Sequence, residues 1–415
     1  MPHTLTPPTG RLAYLTNVYP ATTHTFVLRE VLGLRALGWQ VDTASINQDP
    51  RPLDRLTSEE RVERLHTHVV KSTGWRGALA AHAWALWNHP MGYRRGLKAA
   101  LGRAARVGQW AQNTLHFTGG LMLGRWMQQC GHRHVHVHFA TAAASVATLA
   151  RKTFPITLSM TVHGPDEFAN VQLEHLGEKI ATADFVVCIS HFARGQSMQH
   201  SDPAHWHKMD VVRLGVAPAP LPPARPDHHC PLRLLCVGRL APAKAQHLLL
   251  EALATLRDQG MTNVHLTLVG DGPDAHSLRQ RCQALRLDSQ VVFTGALNQT
   301  EVAAAYAQAD AFVLPSFAEG IPVVLMEAMS RGLPCLSTRT AGIPELIEDG
   351  VSGLLAAPSD VAGLGERIRQ LADSPALRQQ LGQQGRERVT RDYHLGHNVA
   401  RLGQVFAAHL AGVAA

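Results

Sequence analysis

Two glutamates eight positions apart, Glu319 and Glu327, bracket a turn and a helix start in the run from Ser316 to Ala328, SFAEGIPVVLMEA. Pro322 suits a first helical turn, where a missing N–H costs nothing. The N–H groups of Gly320, Ile321, Val323 and Val324 are then expected to point outward with the positive end of the helix dipole. Such a cradle attracts a diphosphate or the hydroxyls of a sugar, and the two carboxylates are set to hold different parts of one ligand. Upstream, VGRLAPAK from Val237 to Lys244 sets Arg239 and Lys244 beside the end of an apolar run. Two cations there can clamp a diphosphate and offset the charge that develops on a departing group. In the other half of the chain, TVHGPD ends a second apolar run with His163 and Asp166. The chain has 25 histidines, most of them with no reason to be more than structural, so the strand-end position is what singles out His163. His132, His134, His136 and His138 alternate and share one face of a strand. Neighbours at that spacing stand about 7 Å apart, whereas tetrahedral metal ligands converge from several elements, so no metal is expected.

The elements that must position these residues follow from apolar runs punctuated by turn residues. Arg11 to Asn17 reads as a strand, Thr25 to Leu37 as an amphipathic helix closed by Gly38, and Val41 to Ile46 as the next strand. After a helical region rich in Trp and Arg, strands resume at Val135 to Phe139, Ile156 to Val162 and Phe185 to Ser190. Strand, helix, strand is the rhythm of a parallel sheet with crossover helices. The proline-rich stretch 216–231 cannot lie inside a strand or a helix and reads as a linker. Alternation restarts at Leu232 to Gly238 and runs through His265 to Gly270, Val291 to Gly295, Ala311 to Pro315 and Pro334 to Thr338. The expected organisation is an α/β domain over 1–215, the linker 216–231, a second α/β domain over 232–396, and a closing helix over 397–415 that packs back on the first domain. Two doubly wound domains imply a cleft at the carboxyl ends of both sheets, where ligands of such sheets bind.

With those elements in place, Glu319 and Glu327 resemble the E-x7-E motif of retaining glycosyltransferases of family 4, which have the GT-B fold of two facing Rossmann-like domains. The resemblance implies that Glu327 holds the nucleotide ribose, that Glu319 contacts the donor sugar, and that Arg239 and Lys244 clamp the diphosphate. TVHGPD is similar to the family's H-G-x-D element, which places His163 near the donor sugar. His138 and Phe139 resemble a pair that lines the acceptor side. The loop from Val18 to Phe26 lacks the glycine pair of many members and looks like the Y-P-x-x-S-E-T-F loop of the branch acting in exopolysaccharide and colanic-acid-type assembly. Thr23 and His24 replace its Ser and Glu, so Thr23, His24, His138 and Asp166 stand as acceptor-side residues. The implied reaction is retaining transfer of a hexose from a nucleotide-diphospho-sugar, with UDP preferred over GDP. No protein nucleophile, cofactor or metal is needed, since cations and a helix N-terminus stabilise the leaving group.

Charge is distributed unevenly. From Arg64 to Pro165 there are 12 Lys and Arg and no Asp or Glu, and the same stretch holds five of the seven tryptophans, among Arg94, Arg95, Lys98, Arg103 and Arg106. Basic residues interleaved with Trp mark an interface with anionic lipid, so 64–133 is expected to meet an anionic membrane surface and a lipid-linked oligosaccharide acceptor. The plainer reading makes Trp84, Leu86, Trp87 and Leu97 ordinary helix core. Nucleic acid is not expected, because no helix-turn-helix, zinc-finger or RNP pattern is present. The six cysteines are scattered without a C-x-x-C pair, the N-terminus lacks a signal-like apolar run, and no stretch reaches membrane-spanning length. A cytoplasmic protein, peripheral at the inner membrane face, is the expectation. Rival functions are a sugar-nucleotide epimerase of the same fold and a non-catalytic lipid-binding module, which leaves the Glu319, Glu327, Arg239 and Lys244 constellation without a role.

Overall fold

The structure is a computed structural model that describes residues 10–21, 24–221 and 231–411. The chain divides into two compact units, Met1–Arg213 with Gly396–Ala415, and Leu214–Leu395. Residues 222–230 of the expected linker lie outside the described residues.

The first unit is built on seven strands: β1 (Arg11–Val18), β2 (Gln40–Asn47), β3 (His68–Val69), β4 (His134–His138), β5 (Thr157–Val162), β6 (Phe185–Cys188) and β7 (Met209–Val211). They pair in the order β3-β2-β1-β4-β5-β6-β7, each pair parallel. Parallel strands are covered on both faces, so they read as nearly continuous apolar runs. β4 is the exception. Val135 and Val137 point into the core while His134, His136 and His138 fill the other face, all of them buried. That face is satisfied from β5: His134 lies 2.8 Å from both Thr157 Oγ1 and Ser159 Oγ, and His136 lies 2.7 Å from Ser159 Oγ and 2.9 Å from Thr161 Oγ1. Buried imidazoles remain affordable only with such partners. Burial holds them neutral, pushing His134 down to about 3 and His136 well below its usual value. The closing helix Leu395–Leu410 covers this layer, with the Phe406 ring 5.0 Å from that of His136 and 6.2 Å from that of Tyr14.

The second unit carries β8 (Leu232–Val237), β9 (Val264–Val269), β10 (Val291–Gly295), β11 (Ala311–Leu314), β12 (Cys335–Thr338) and β13 (Leu354–Ala356) in the parallel order β10-β9-β8-β11-β12-β13. This is the doubly wound dinucleotide-type order, and it reverses between β8 and β11, the place where such sheets bind ligands. Both units therefore have the expected α/β class.

The helices Gly74–Asn88, Pro90–Val107 and Trp110–Cys130 hold the basic, Trp-rich stretch. Trp84 and Leu97 pack partly against the core, as the plainer reading expects. Leu86 and Trp87 do not: Trp87 is 88% exposed, and Trp75, Leu79, Met91, Trp110 and Leu115 also face solvent. Arg103, expected among the surface cations, is fully buried and donates from Nε to Glu178, 3.1 Å away. Its position on the helix turns it inward between Ala100 and Ala104, both buried. Among the described residues no helix is long and apolar enough to cross a membrane.

Candidate functional site

At the switch point of the second unit, Arg239 and Lys244 leave the end of β8, and Ser316 to Gly320 leave the end of β11. The β8 loop is shaped by close backbone approach. Gly270 has a φ of 140° after β9, and a Cβ there would lie 2.0 Å from the Gly238 carbonyl oxygen. Leu240 N–H donates to the Asp271 carbonyl at 3.0 Å, so the Gly270 to Pro273 turn braces the segment that carries Arg239. Gln246 holds the same segment by donating from Nε2 to the Arg239 carbonyl, 3.0 Å away.

Lys244 and Glu319 form an ion pair of 2.5 Å, and Ser316 Oγ donates to the same Glu319 oxygen at 2.7 Å. Glu319 is buried, while Lys244 keeps a quarter of its side chain in water. The two loops are also tied by backbone, Phe317 N–H donating to the Ala243 carbonyl at 2.8 Å. Arg239 is exposed and forms no ion pair with any described residue. The helix that follows is Val323–Ser330, entered through Pro322. The N–H groups of Gly320, Ile321, Val323 and Val324 donate to no described residue. Gly342 lets this turn close, since a Cβ there would fall 2.2 Å from the Gly320 carbonyl oxygen. Glu327 is half-buried one turn on, with Tyr306 Oη 3.5 Å from its Oε2 and Arg331 donating to its carbonyl at 2.8 Å. Every second-unit residue singled out by the sequence is thus on one strand-end surface, which offers a guanidinium, an ammonium, four free N–H donors and two carboxylates. Ser316 and Tyr306 were not among them, and Tyr306 lies 21 positions from the carboxylate it contacts.

In the first unit, His24, His138 and His163 come together at the ends of β1, β4 and β5. Phe139 sits at a φ of 67°, an uncommon backbone state for a bulky residue, and its ring lies 4.3 Å from that of His163 and 4.5 Å from that of His24. Phe26 stands 5.0 Å from His163 on another side. Burial, with His138 and His24 adding to it, holds His163 well below its usual pKa and hence neutral. Burial likewise lowers His24 to about 4. Thr23 lies outside the described residues. Asp166 is exposed, and the carboxylate that works in this turn is its neighbour Glu167, whose oxygens accept from the N–H groups of Ala140, His163 and Gly164. Burial pushes the Glu167 carboxyl up to about 7 against those three donors. His138, expected on the acceptor side, has a fully buried side chain, and its ring nitrogens lie 3.0 Å from His163 Nε2 and 2.9 Å from Glu30 Oε1. Both of its ring nitrogens thus have partners within the protein.

A family model described as glycosyl transferases group 1 matches residues 228–388, which spans the whole strand-end surface of the second unit. The chain carries a group 1 glycosyltransferase domain. It is 34% identical over 202 residues to glycogen synthase of Mycobacterium tuberculosis, covering 48% of this chain and 49% of that protein. The chain therefore spans about half the length of that relative. Over 386 residues it is 27% identical to the amylovoran biosynthesis glycosyltransferase AmsK of Erwinia amylovora, covering 88% of this chain and 91% of the relative. Among solved structures, the sucrose-phosphate synthase from Thermosynechococcus elongatus superposes with a TM-score of 0.74 at 19% identity, over 97% of this chain and 100% of that one. Anabaena HepE in complex with UDP and glucose matches with a TM-score of 0.70 at 17% identity, over 96% and 100%. These likenesses establish the two-domain α/β fold of GT-B glycosyltransferases for the chain that bears this glycosyltransferase domain.

Proposed function

We propose that the chain is a retaining glycosyltransferase of family 4 that moves a hexose from a nucleotide-diphospho-sugar to a saccharide hydroxyl in cell-surface polysaccharide synthesis. The observation that carries this is the strand-end surface of the second unit, where the exposed, unpaired Arg239 and the free N–H groups of Gly320 to Val324 stand beside the Lys244–Glu319 pair. Cations and oriented N–H donors stabilise a leaving diphosphate before any protein rearrangement. In the step, the bond from the anomeric carbon to the diphosphate oxygen breaks with its electron pair going to the diphosphate. The acceptor oxygen bonds to the same face of that carbon, and its proton passes to the departing phosphate oxygen. Glu327 holds the nucleotide, Glu319 and His163 act on the donor sugar, and Arg239 and Lys244 supply the charge that a metal would otherwise bring. HepE, a structural neighbour, was captured with UDP and glucose, which supports a UDP-sugar as the first donor to try. Calorimetry with UDP- and GDP-sugars, in the presence of chelator, tests this. One nucleotide sugar is expected to bind the wild type and to lose about 10- to 100-fold in affinity in Glu327→Ala, the loss of one or two good hydrogen bonds to a charged group. Absence of binding to every nucleotide sugar by the wild type overturns the reading.

The acceptor is proposed to be carried on a lipid diphosphate at an anionic membrane surface. Exposed Trp75 and Trp87 stand on the helix Gly74–Asn88 and Trp110 on the helix Trp110–Cys130, while the helix between them in the chain, Pro90–Val107, displays Arg94, Arg95 and Lys98. Apolar anchors and cations of this kind are what a lipid headgroup layer attracts. Arg94→Glu/Arg95→Glu/Lys98→Glu leaves buried Arg103 intact. At about 1 kcal/mol per basic residue, this variant is expected to bind phosphatidylglycerol vesicles at least roughly 100-fold more weakly. Equal sedimentation of wild type and variant with those vesicles would remove the membrane from the proposal.

A further inference from the structure

Behind His163 runs a line of hydrogen bonds that the donor chemistry does not use. Glu30 falls on the apolar face of the helix Thr25–Ala36, among buried Val27, Val31 and Leu34, and is itself buried. Its Oε1 accepts from Tyr14 Oη at 2.9 Å and lies 2.9 Å from His138 Nε2. His138 Nδ1 in turn lies 3.0 Å from His163 Nε2. A buried carboxylate is costly unless its partners compensate, and here two of them converge on one oxygen. A carboxylate has no proton to give, so the hydrogen it shares with His138 sits on Nε2. In a neutral imidazole this leaves Nδ1 as a lone pair, which accepts from His163 Nε2–H.

We propose that Glu30, acting through His138, is a positioning residue that fixes His163 as its Nε2–H tautomer and leaves His163 Nδ1 as an acceptor for a substrate hydroxyl. This rests on the reading of His163 as a catalytic residue. Phe139 and Phe26, at 4.3 Å and 5.0 Å, hold the plane of the ring while the relay sets its proton. The same carboxylate belongs to a cluster, Glu30, His136 and His138, whose ligand atoms lie within 4.8 Å of one another. A cation there must displace hydrogen bonds already made: His136 holds Ser159 and Thr161, and His138 holds His163. The arrangement is a proton-ordering network in which every ring nitrogen of His136 and His138 is spoken for.

Long-range proton–nitrogen NMR of the full chain labelled with nitrogen-15 histidine reads the tautomer, with the His163 signal assigned by its loss in His163→Asn. The wild type is expected to show His163 protonated at Nε2. In Glu30→Gln the amide can either accept from or donate to His138, so a mixture of His163 tautomers is expected. Turnover should fall about 10- to 100-fold, the scale on which a carboxylate that orients a histidine acts. The donor KM should stay within roughly threefold, because the ground-state contacts are kept. A wild-type His163 protonated at Nδ1, an unchanged tautomer and kcat in folded Glu30→Gln, or stoichiometric zinc in the purified protein would each overturn the relay. If Glu30→Gln does not fold, the wild-type spectrum still decides. Failure of the transferase reading shows separately, as no nucleotide-sugar binding by the wild type.

Discussion

Arg239→Ala is expected to lower kcat roughly 100- to 1000-fold, about 3–4 kcal/mol of barrier, while leaving the melting temperature where it is. The two halves of that result have one origin. Arg239 is exposed and makes no ion pair with any described residue, so the fold draws nothing from its side chain, and surface changes of this kind stay within about 0.5 kcal/mol of stability. A guanidinium offered to solvent at the carboxyl end of β8 is then available, in the proposed reaction, to meet a developing phosphate charge with two parallel N–H donors. Arg239→Lys keeps the charge and loses that fork, and it is expected to recover only part of the rate. Steady-state kinetics beside a thermal melt checks both halves. A variant with full activity would remove Arg239 from the leaving-group site.

Glu319→Ala has the second large effect and a different signature. The carboxylate is buried and accepts from both Lys244 and Ser316, so its removal leaves two donors without their acceptor. Because Lys244 is a quarter exposed, water relieves part of the loss, and the stability cost is expected to be about 1–2 kcal/mol. Activity should fall by on the order of 1000-fold, since the ammonium loses its fixed position and the donor sugar loses a carboxylate. Glu319→Gln separates the contributions. Its amide oxygen still accepts from Ser316, so stability is expected to return while the rate does not, as no charge remains to hold Lys244. Kinetics and melting of the two variants side by side measure this, and a Gln variant as active as the wild type would sink the charge argument.

Much of this site was legible in residue order because its parts lie close together along the chain. Glu319, Pro322 and Glu327 share one turn and one helix, so spacing alone sets their relation, and Arg239 and Lys244 follow a strand whose apolar run is unmistakable. The strands themselves were legible for the same reason, buried parallel strands having little choice but continuous apolar sequence. The alternating histidines announced a one-sided strand face, which β4 has at His134, His136 and His138, while His132 precedes the strand. What a local pattern does not carry is the partner. Glu30 left a trace, a carboxylate on the stripe Val27, Val31 and Leu34, but its partner His138 is 108 positions away. Arg103 and Trp87 show the same limit on one helical region: composition counts both as basic, Trp-rich surface, and only packing buries the first and exposes the second.

By itself the sequence determined the α/β class and the order of strands along the chain, and it brought forward Arg239, Lys244, Glu319 and Glu327 for the phosphate-and-sugar chemistry proposed above, because periodicity, turn residues and helix-start geometry are properties of neighbours. Only the tertiary structure decided which carboxylate holds Lys244, that Glu167 rather than Asp166 gathers the turn's N–H groups, and that His138 lies between Glu30 and His163. Each of those is a choice among groups brought together by folding. Burial sets its outcome, since a polar atom removed from water must find a partner, and which partner lies within reach is fixed by strand pairing and helix packing.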